Sequence, residues 1–176
     1  MAKIPRVAIV IVAAFLLSTR CILANPAAAS SASMVVENRL DIRVEKLRKF
    51  LKFYNSLLLP YSQLFVNEAD EYGLDWRLVP AITGVESTFG KQIPFNSYNA
   101  YGWVNGAYYF KSWEDSIEIV SKTLKENYID RGADTVEKIA PIYAPPSKTW
   151  AWKVAYFMEK LENFAPTSTL ALELSL

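Results

Sequence analysis

The segment from Asp75 to Gly90 constrains the fold most, because it reads as a helix with a carboxylate inside its own apolar arc. Asp75 is placed to cap the N-terminus and Gly90 to stop the C-terminus. At about 100° per residue, Val85, Leu78, Phe89, Ile82 and Val79 share one face. Glu86 falls between Ile82 and Val79 on that face, while Arg77, Thr83, Ser87 and Thr88 take the other. An ionised carboxylate is costly to bury unless it is paired or protonated. Such a group has a raised pKa and suits general-acid work near neutral pH. The alternative is a structural Glu paired with a distant Lys or Arg, or one reaching out from the helix end. The helical wheel by itself leaves the two readings level.

The residue types present narrow the chemistry. The 176 residues include no histidine, and the single cysteine, Cys21, lies near the N-terminus. Ser-His-Asp and Cys-His catalysis and His-ligated zinc are therefore excluded, which leaves carboxylates, hydroxyls, amides and lysine. No metal and no cofactor are expected. Lys3 and Arg6, an apolar run from Val7 to Leu17 and small residues at Ala24 and Ala27–Ala29 have the layout of a secretory signal. That run is short for a membrane span. Residues 1–29 are read as a signal peptide or an uncleaved N-terminal anchor, so membrane contact is expected only if the segment is uncleaved. Arg20 before Cys21 argues against a lipoprotein signal, and the expected location is secreted or cell-envelope. Loss of residues 1–29 would remove Lys3, Arg6 and Arg20 and no acid, moving the formal charge from +1 to −2. A near-neutral chain has no electrostatic reason to bind nucleic acid.

The remaining chain of about 145 residues suits one domain. Residues 30–36 read as a flexible spacer and residues 165–176 as a loose tail. Between them, residues 37–164 read as a mainly α domain, helical with one small β-hairpin. Leu40, Val44, Leu47, Leu51, Tyr54 and Leu58 form a heptad seam on a helix over 37–58, expected to pack on its own domain as a monomer. Pro60 opens a second helix through Tyr72, stopped by Gly73, with Tyr61, Leu64, Phe65 and Tyr72 inward. Tyr101–Val104 and Ala107–Phe110 flank Asn105-Gly106, which predicts the hairpin. Ser112-Trp113-Glu114-Asp115 opens the next helix as a capping box, with Trp113, Ile117, Val120, Leu124 and Tyr128 as its core stripe. Asp134–Glu137 caps a short helix expected to stop before Pro141. A last helix runs over about 147–164 with Val154, Phe157, Met158, Leu161 and Phe164 inward.

Three motifs in order now carry a resemblance. Gly84-Val85-Glu86-Ser87-Thr88-Phe89-Gly90-Lys91, Asn99-Ala100-Tyr101-Gly102-Trp103 and Ser112-Trp113-Glu114-Asp115-Ser116-Ile117 resemble the endo-β-N-acetylglucosaminidase domains of bacterial autolysins. Those domains belong to the lysozyme-like superfamily, alongside the lytic transglycosylases. The likeness covers roughly residues 60–164 and implies an α+β lysozyme-like fold acting on peptidoglycan glycan strands. It implies Glu86 as the catalytic acid and Tyr143, in Tyr143-Ala144, as a tyrosine aimed at the catalytic centre. It implies the turn from Asn99 to Trp103 as the lining of the cleft opposite the acid, and Ser87, Phe89, Asn99, Tyr101, Gly102, Trp103 and Trp150 are expected to bind substrate. The chain departs from the family in its short hairpin, where many relatives carry longer strand insertions. It departs again in Ala144-Pro145-Pro146, where autolysins usually have a threonine and an acid.

Glycoside hydrolysis usually uses two carboxylates. Glu114, Asp115 and Glu118 are the candidates for the second, but Asp115 is better explained as a cap and the other two flank the core stripe on its solvent side. Asp130 reads as a surface residue. A substrate 2-acetamido group can supply the missing nucleophile while Glu86 protonates the leaving oxygen. Trp103, Tyr108 and Trp150 are candidate sugar platforms, each also explicable as packing, and Lys91-Gln92-Ile93 and Asn96 are placed to meet N-acetyl or lactyl groups. The expectation is an exported glycosidase. The alternatives are a lytic transglycosylase of the same fold, a non-catalytic glycan-binding module, or a helical interaction domain that dimerises through the seam.

Overall fold

The structure is a computed structural model that describes residues 41–164. The expected signal or anchor, spacer and tail, and the start of the first helix at 37–40, lie outside the described residues. The described part is mainly helical, as the sequence predicts, with six α-helices. They are α1 (Ile42–Phe53), α2 (Ser62–Tyr72), α3 (Leu78–Ser87), α4 (Trp113–Asn127), α5 (Val136–Tyr143) and α6 (Trp150–Glu162). Short 3-10 turns lie at Leu59–Tyr61, Trp103–Gly106 and Ile129–Arg131.

α3 sits in the core, against α6 and α4, while α2 packs on α1 and α4. Every residue from Leu78 to Thr83 is buried, so Thr83 is not on a solvent face as the wheel implied. It is tolerated there because its hydroxyl donates to Pro80 O at 2.7 Å, which satisfies the buried polar group within its own helix. Each fully buried Leu, Ile or Phe contributes about 1.5–3 kcal/mol of transfer free energy. The interior is rich in them: Leu47, Phe50, Leu51, Phe65, Ile82, Ile117 and Leu124 are all sealed from water.

The heptad seam is used inside the chain. Leu47 and Leu51 are fully buried, with α2 and α6 packed against α1. The helix stops at Phe53 instead of reaching residue 58, because Asn55 turns left-handed (φ 50°). Leu58 is still fully buried, but from the following turn. Leu47, Leu51 and Leu58 of the seam thus pack inside the chain.

Three further expectations are corrected. α3 begins at Leu78, and Asp75 instead accepts from Arg77 N at 2.9 Å in the turn before it. α5 runs through Pro141 to Tyr143, with Ala144 N donating to Ala140 O at 3.0 Å beyond the proline. The bond Pro141 cannot make would go to Glu137 O, in an exposed first turn where water can take its place. Lastly, no strand occurs among the described residues, so the hairpin is absent. The chain does reverse at Asn105-Gly106, but Val104, Asn105 and Gly106 are all left-handed (φ 53°, 53° and 85°) and coil into a 3-10 turn. The groups that would have formed a ladder go to side chain and loop partners. Asn99 Nδ2 donates to Trp103 O at 2.9 Å and to Tyr108 O at 3.0 Å, Asn99 Oδ1 accepts from Trp103 N at 3.1 Å, and Phe110 N donates to Ser97 O.

Candidate active site

The site is built around the last turn of α3. Thr88, Phe89 and Gly90 follow it in left-handed conformation, with φ of 52°, 59° and 80°. Two of these are not glycine, so the run is strained and must be held from outside. Ser87 does much of this. Its hydroxyl lies 3.0 Å from Thr83 O and 2.9 Å from Ala100 O, and its oxygen accepts from Gly90 N at 2.9 Å. Phe89 N closes onto Thr83 O at 2.9 Å, and the Phe89 ring enters a cluster with Phe50, Tyr54 and Phe157. The helix therefore ends two residues earlier than the sequence predicts for Phe89. Its backbone is tied to the 99–102 segment at the residue next to Glu86.

Glu86 is half-buried and faces three other elements. Trp150, at the start of α6, donates its indole Nε1–H to Glu86 Oε1 at 2.6 Å. The Trp150 ring stacks on Tyr143 from the end of α5, with centroids 4.9 Å apart and planes at 27°. Tyr143 donates its hydroxyl to Tyr101 O at 2.7 Å. The next residue, Gly102 (φ 71°), lies so close to Glu86 that a Cβ there would overlap Oε2. Acid, indole, phenol and turn form a closed circuit of contacts.

Burial pushes the Glu86 carboxyl above its ordinary range, against the opposing pull of the Trp150 N–H and the Lys153 charge. Burial and the neighbouring Glu86 charge push the Tyr143 phenol well above its usual value. Its ring is partly exposed but its hydroxyl is enclosed, so it stays a neutral donor. The site thus pairs an acid biased toward its protonated form with donors that do not titrate beside it. Next to it opens a cleft of about 400 Å³, lined by Gly102, Trp103, Asn105, Thr123, Tyr128 and Tyr143 among others. That is enough for a small ligand or a sugar unit.

The sequence-predicted residues divide into two groups. Glu86, Tyr143, Gly102 and Trp103 come together at or beside the cleft. Phe89 and Tyr101 are instead fully buried, Ser87 and Asn99 nearly so, and Trp150 is 3% exposed. Their side chains leave no face for a sugar to touch, so the expectation that these five contact substrate is corrected: they shape the wall behind the cleft. Trp150 is the acid's hydrogen-bond donor and not a platform, whereas Tyr108 is exposed and packs edge-on to Trp103 at 5.7 Å. Lys91 donates to Tyr54 O at 2.7 Å, which ties it to the end of α1. Gln92 accepts from the Thr88 hydroxyl, and Asn96 is an exposed left-handed turn residue.

The candidate second carboxylates point elsewhere. Glu114 neighbours Tyr61, and Glu118 lies near Glu68 and Tyr72. Asp115 accepts from Lys111 N at 3.0 Å while Ser112 caps Asp115 N at 3.2 Å, the expected helix start. Asp130 pairs with Lys125 at 2.7 Å on the surface. Tyr128 was read only as the end of the α4 core stripe, and Thr123 carried no signal in the sequence. Nothing local in the sequence signals that Trp150, 64 positions from Glu86, meets its carboxylate.

Among the described residues, no cluster of three His, Cys, Asp or Glu side chains is placed to hold a metal ion. No protein-family model matches the sequence, and no curated protein is significantly similar to it.

Proposed function

We propose that this protein is an exported glycosidase that cleaves the β-1,4 glycan of peptidoglycan, with Glu86 as general acid. The observation that carries this reading is the setting of Glu86. It is half-buried at the end of a core helix, held by an indole N–H at 2.6 Å, raised in pKa and set beside a cleft. General acids of this type act when their pKa approaches the working pH. The three ordered motifs and the signal-like N-terminus support the substrate and the export.

The groups facing Glu86 are Trp150, Lys153 and the neutral Tyr143, none of which is a carboxylate nucleophile. The substrate's 2-acetamido oxygen takes that role. It attacks the anomeric carbon as Glu86 gives its proton to the departing glycosidic oxygen, breaking the C–O bond and leaving Glu86 ionised. Glu86 then accepts a proton from the group that adds to the anomeric carbon. Water as that group makes the enzyme a hydrolase, and a hydroxyl of the same sugar makes it a lytic transglycosylase.

Digestion of purified peptidoglycan by the protein and by Glu86→Gln, with products identified by mass spectrometry, tests the reading. Reducing-end N-acetylglucosamine identifies a glucosaminidase, and anhydro-muramyl ends identify a transglycosylase. Either product must vanish in the variant. No product from the folded protein would sink the enzymatic reading in favour of a glycan-binding module.

A further inference from the structure

A carboxylic acid delivers its proton from one oxygen, and the two oxygens of Glu86 have different surroundings. Oε1 receives the indole N–H of Trp150 at 2.6 Å, while Oε2 lies against the backbone of Gly102. We infer that Trp150 is a positioning residue that holds Glu86 with Oε1 turned to the indole and the transferable proton on Oε2, the oxygen beside Gly102. This rests on the general-acid reading above.

An indole N–H can only donate. The oxygen that accepts from it keeps its lone pair, so protonation goes to the other one. The indole cannot easily turn away. Trp150 is 3% exposed and stacked on Tyr143 at 4.9 Å, and the Tyr143 hydroxyl is fastened to Tyr101 O at 2.7 Å. The same fastening sets Gly102, whose missing side chain leaves room for Oε2. Any Cβ at this left-handed position would strike that oxygen. Gly102 also lines the cleft, so the oxygen assigned the proton is the one that lies against a cleft-lining residue. The groups facing Glu86 are Trp150 and Lys153 from α6 and Tyr143 from α5, while Gly102 brings no titratable group from the turn. Trp150 and Lys153 both favour the ionised acid, and of these only Trp150 touches it directly.

The test uses the full chain. In the wild type, the Trp150 indole N–H resonance should move with pH at the midpoint at which Glu86 titrates. In Glu86→Gln it should not move. In Trp150→Phe, the Glu86 carboxyl titration, read by carbon NMR, should shift upward by up to about one pH unit because a donor to the charged form is gone. The alkaline limb of the activity profile should shift with it, and turnover should fall by about 10- to 100-fold through loss of aim. A wild-type indole resonance that ignores Glu86 overturns the inference even if Trp150→Phe fails to fold. So does a folded Trp150→Phe protein with an unmoved Glu86 midpoint and only a lower Tm. A titrating indole in a protein that leaves peptidoglycan intact would instead keep the contact and remove the glycosidase reading.

Discussion

Two aromatic clusters flank the end of α3, and they are built on opposite physical terms. On one side, Phe89 packs with Phe50, Tyr54 and Phe157 at centroid distances of 4.5–5.5 Å. The three Phe rings carry no polar handle, and a Cβ at Gly84 would come within 2.7 Å of the Phe89 ring, so the fit is close. On the other side, Trp150 and Tyr143 stack at a similar distance, yet each spends its polar atom on a specific acceptor, Glu86 Oε1 and Tyr101 O. The first cluster is held together by area removed from water, which has no direction. The second adds directional hydrogen bonds that make a single arrangement of the acid preferable to its alternatives. One turn of helix separates a region that supplies stability from a region that supplies geometry.

Substitutions can separate the two roles, and the largest effect on stability is expected in the first cluster. Phe89→Ala leaves a cavity beneath the left-handed turn and should cost about 3–5 kcal/mol, read as a lower midpoint in denaturant titration. An effect below about 1 kcal/mol would mean that the turn is held by its hydrogen bonds alone. Ser87→Ala comes next. It strips partners from the nearly sealed Gly90 N and Ala100 O and should cost about 1–3 kcal/mol. The loss should be accompanied by faster amide exchange at Gly90.

Tyr143→Phe keeps the stacked ring and removes only the bond to Tyr101 O, with an expected stability loss of about 0.5–1.5 kcal/mol. If the second cluster supplies geometry, its glycan turnover should fall far more than its Tm suggests. A proportionate loss of both would erase the distinction between the clusters.

Glu86→Gln should have the smallest effect on stability, and of the opposite sign. The folded-state pKa of Glu86 is raised above the ordinary 4.5, so the folded protein binds this proton more tightly than the unfolded chain. Stability from this group is greatest below pH 4.5 and declines as pH rises through the folded-state pKa. The variant, free of that cost, should match or exceed the wild-type Tm at pH 7, and the gap should close toward pH 4. A variant markedly less stable at pH 7 would make Glu86 a structural residue.

Periodicity and punctuation located all six helices and bounded α2 and α4 closely. α2 ends at Gly73 (φ 61°), and α4 starts on the Ser112 cap with Ile117, Val120 and Leu124 inward. The sequence also singled out Glu86, because a carboxylate among apolar residues violates a rule that needs only the helical repeat to be seen. These features depend on residues within one or two turns of each other, and short-range order is written in short-range pattern. The failures have other causes. Asn105-Gly106 reversed the chain without a hairpin because Asn99 captured the backbone groups of Trp103 and Tyr108. Pro141 did not end α5, and Phe89, Tyr101 and Trp150 were taken for a sugar-facing surface when they lie inside. The buried aromatics rest on partners that local spacing does not encode, brought close by packing of the core, whereas Asn99 captured neighbours close in sequence and Pro141 is tolerated in an exposed first turn. The acid was determined by the sequence; the indole that holds it, the glycine that makes room for it and the cleft beside it were decided by the tertiary structure, because a hydrogen bond or a steric clash exists only once distant segments meet.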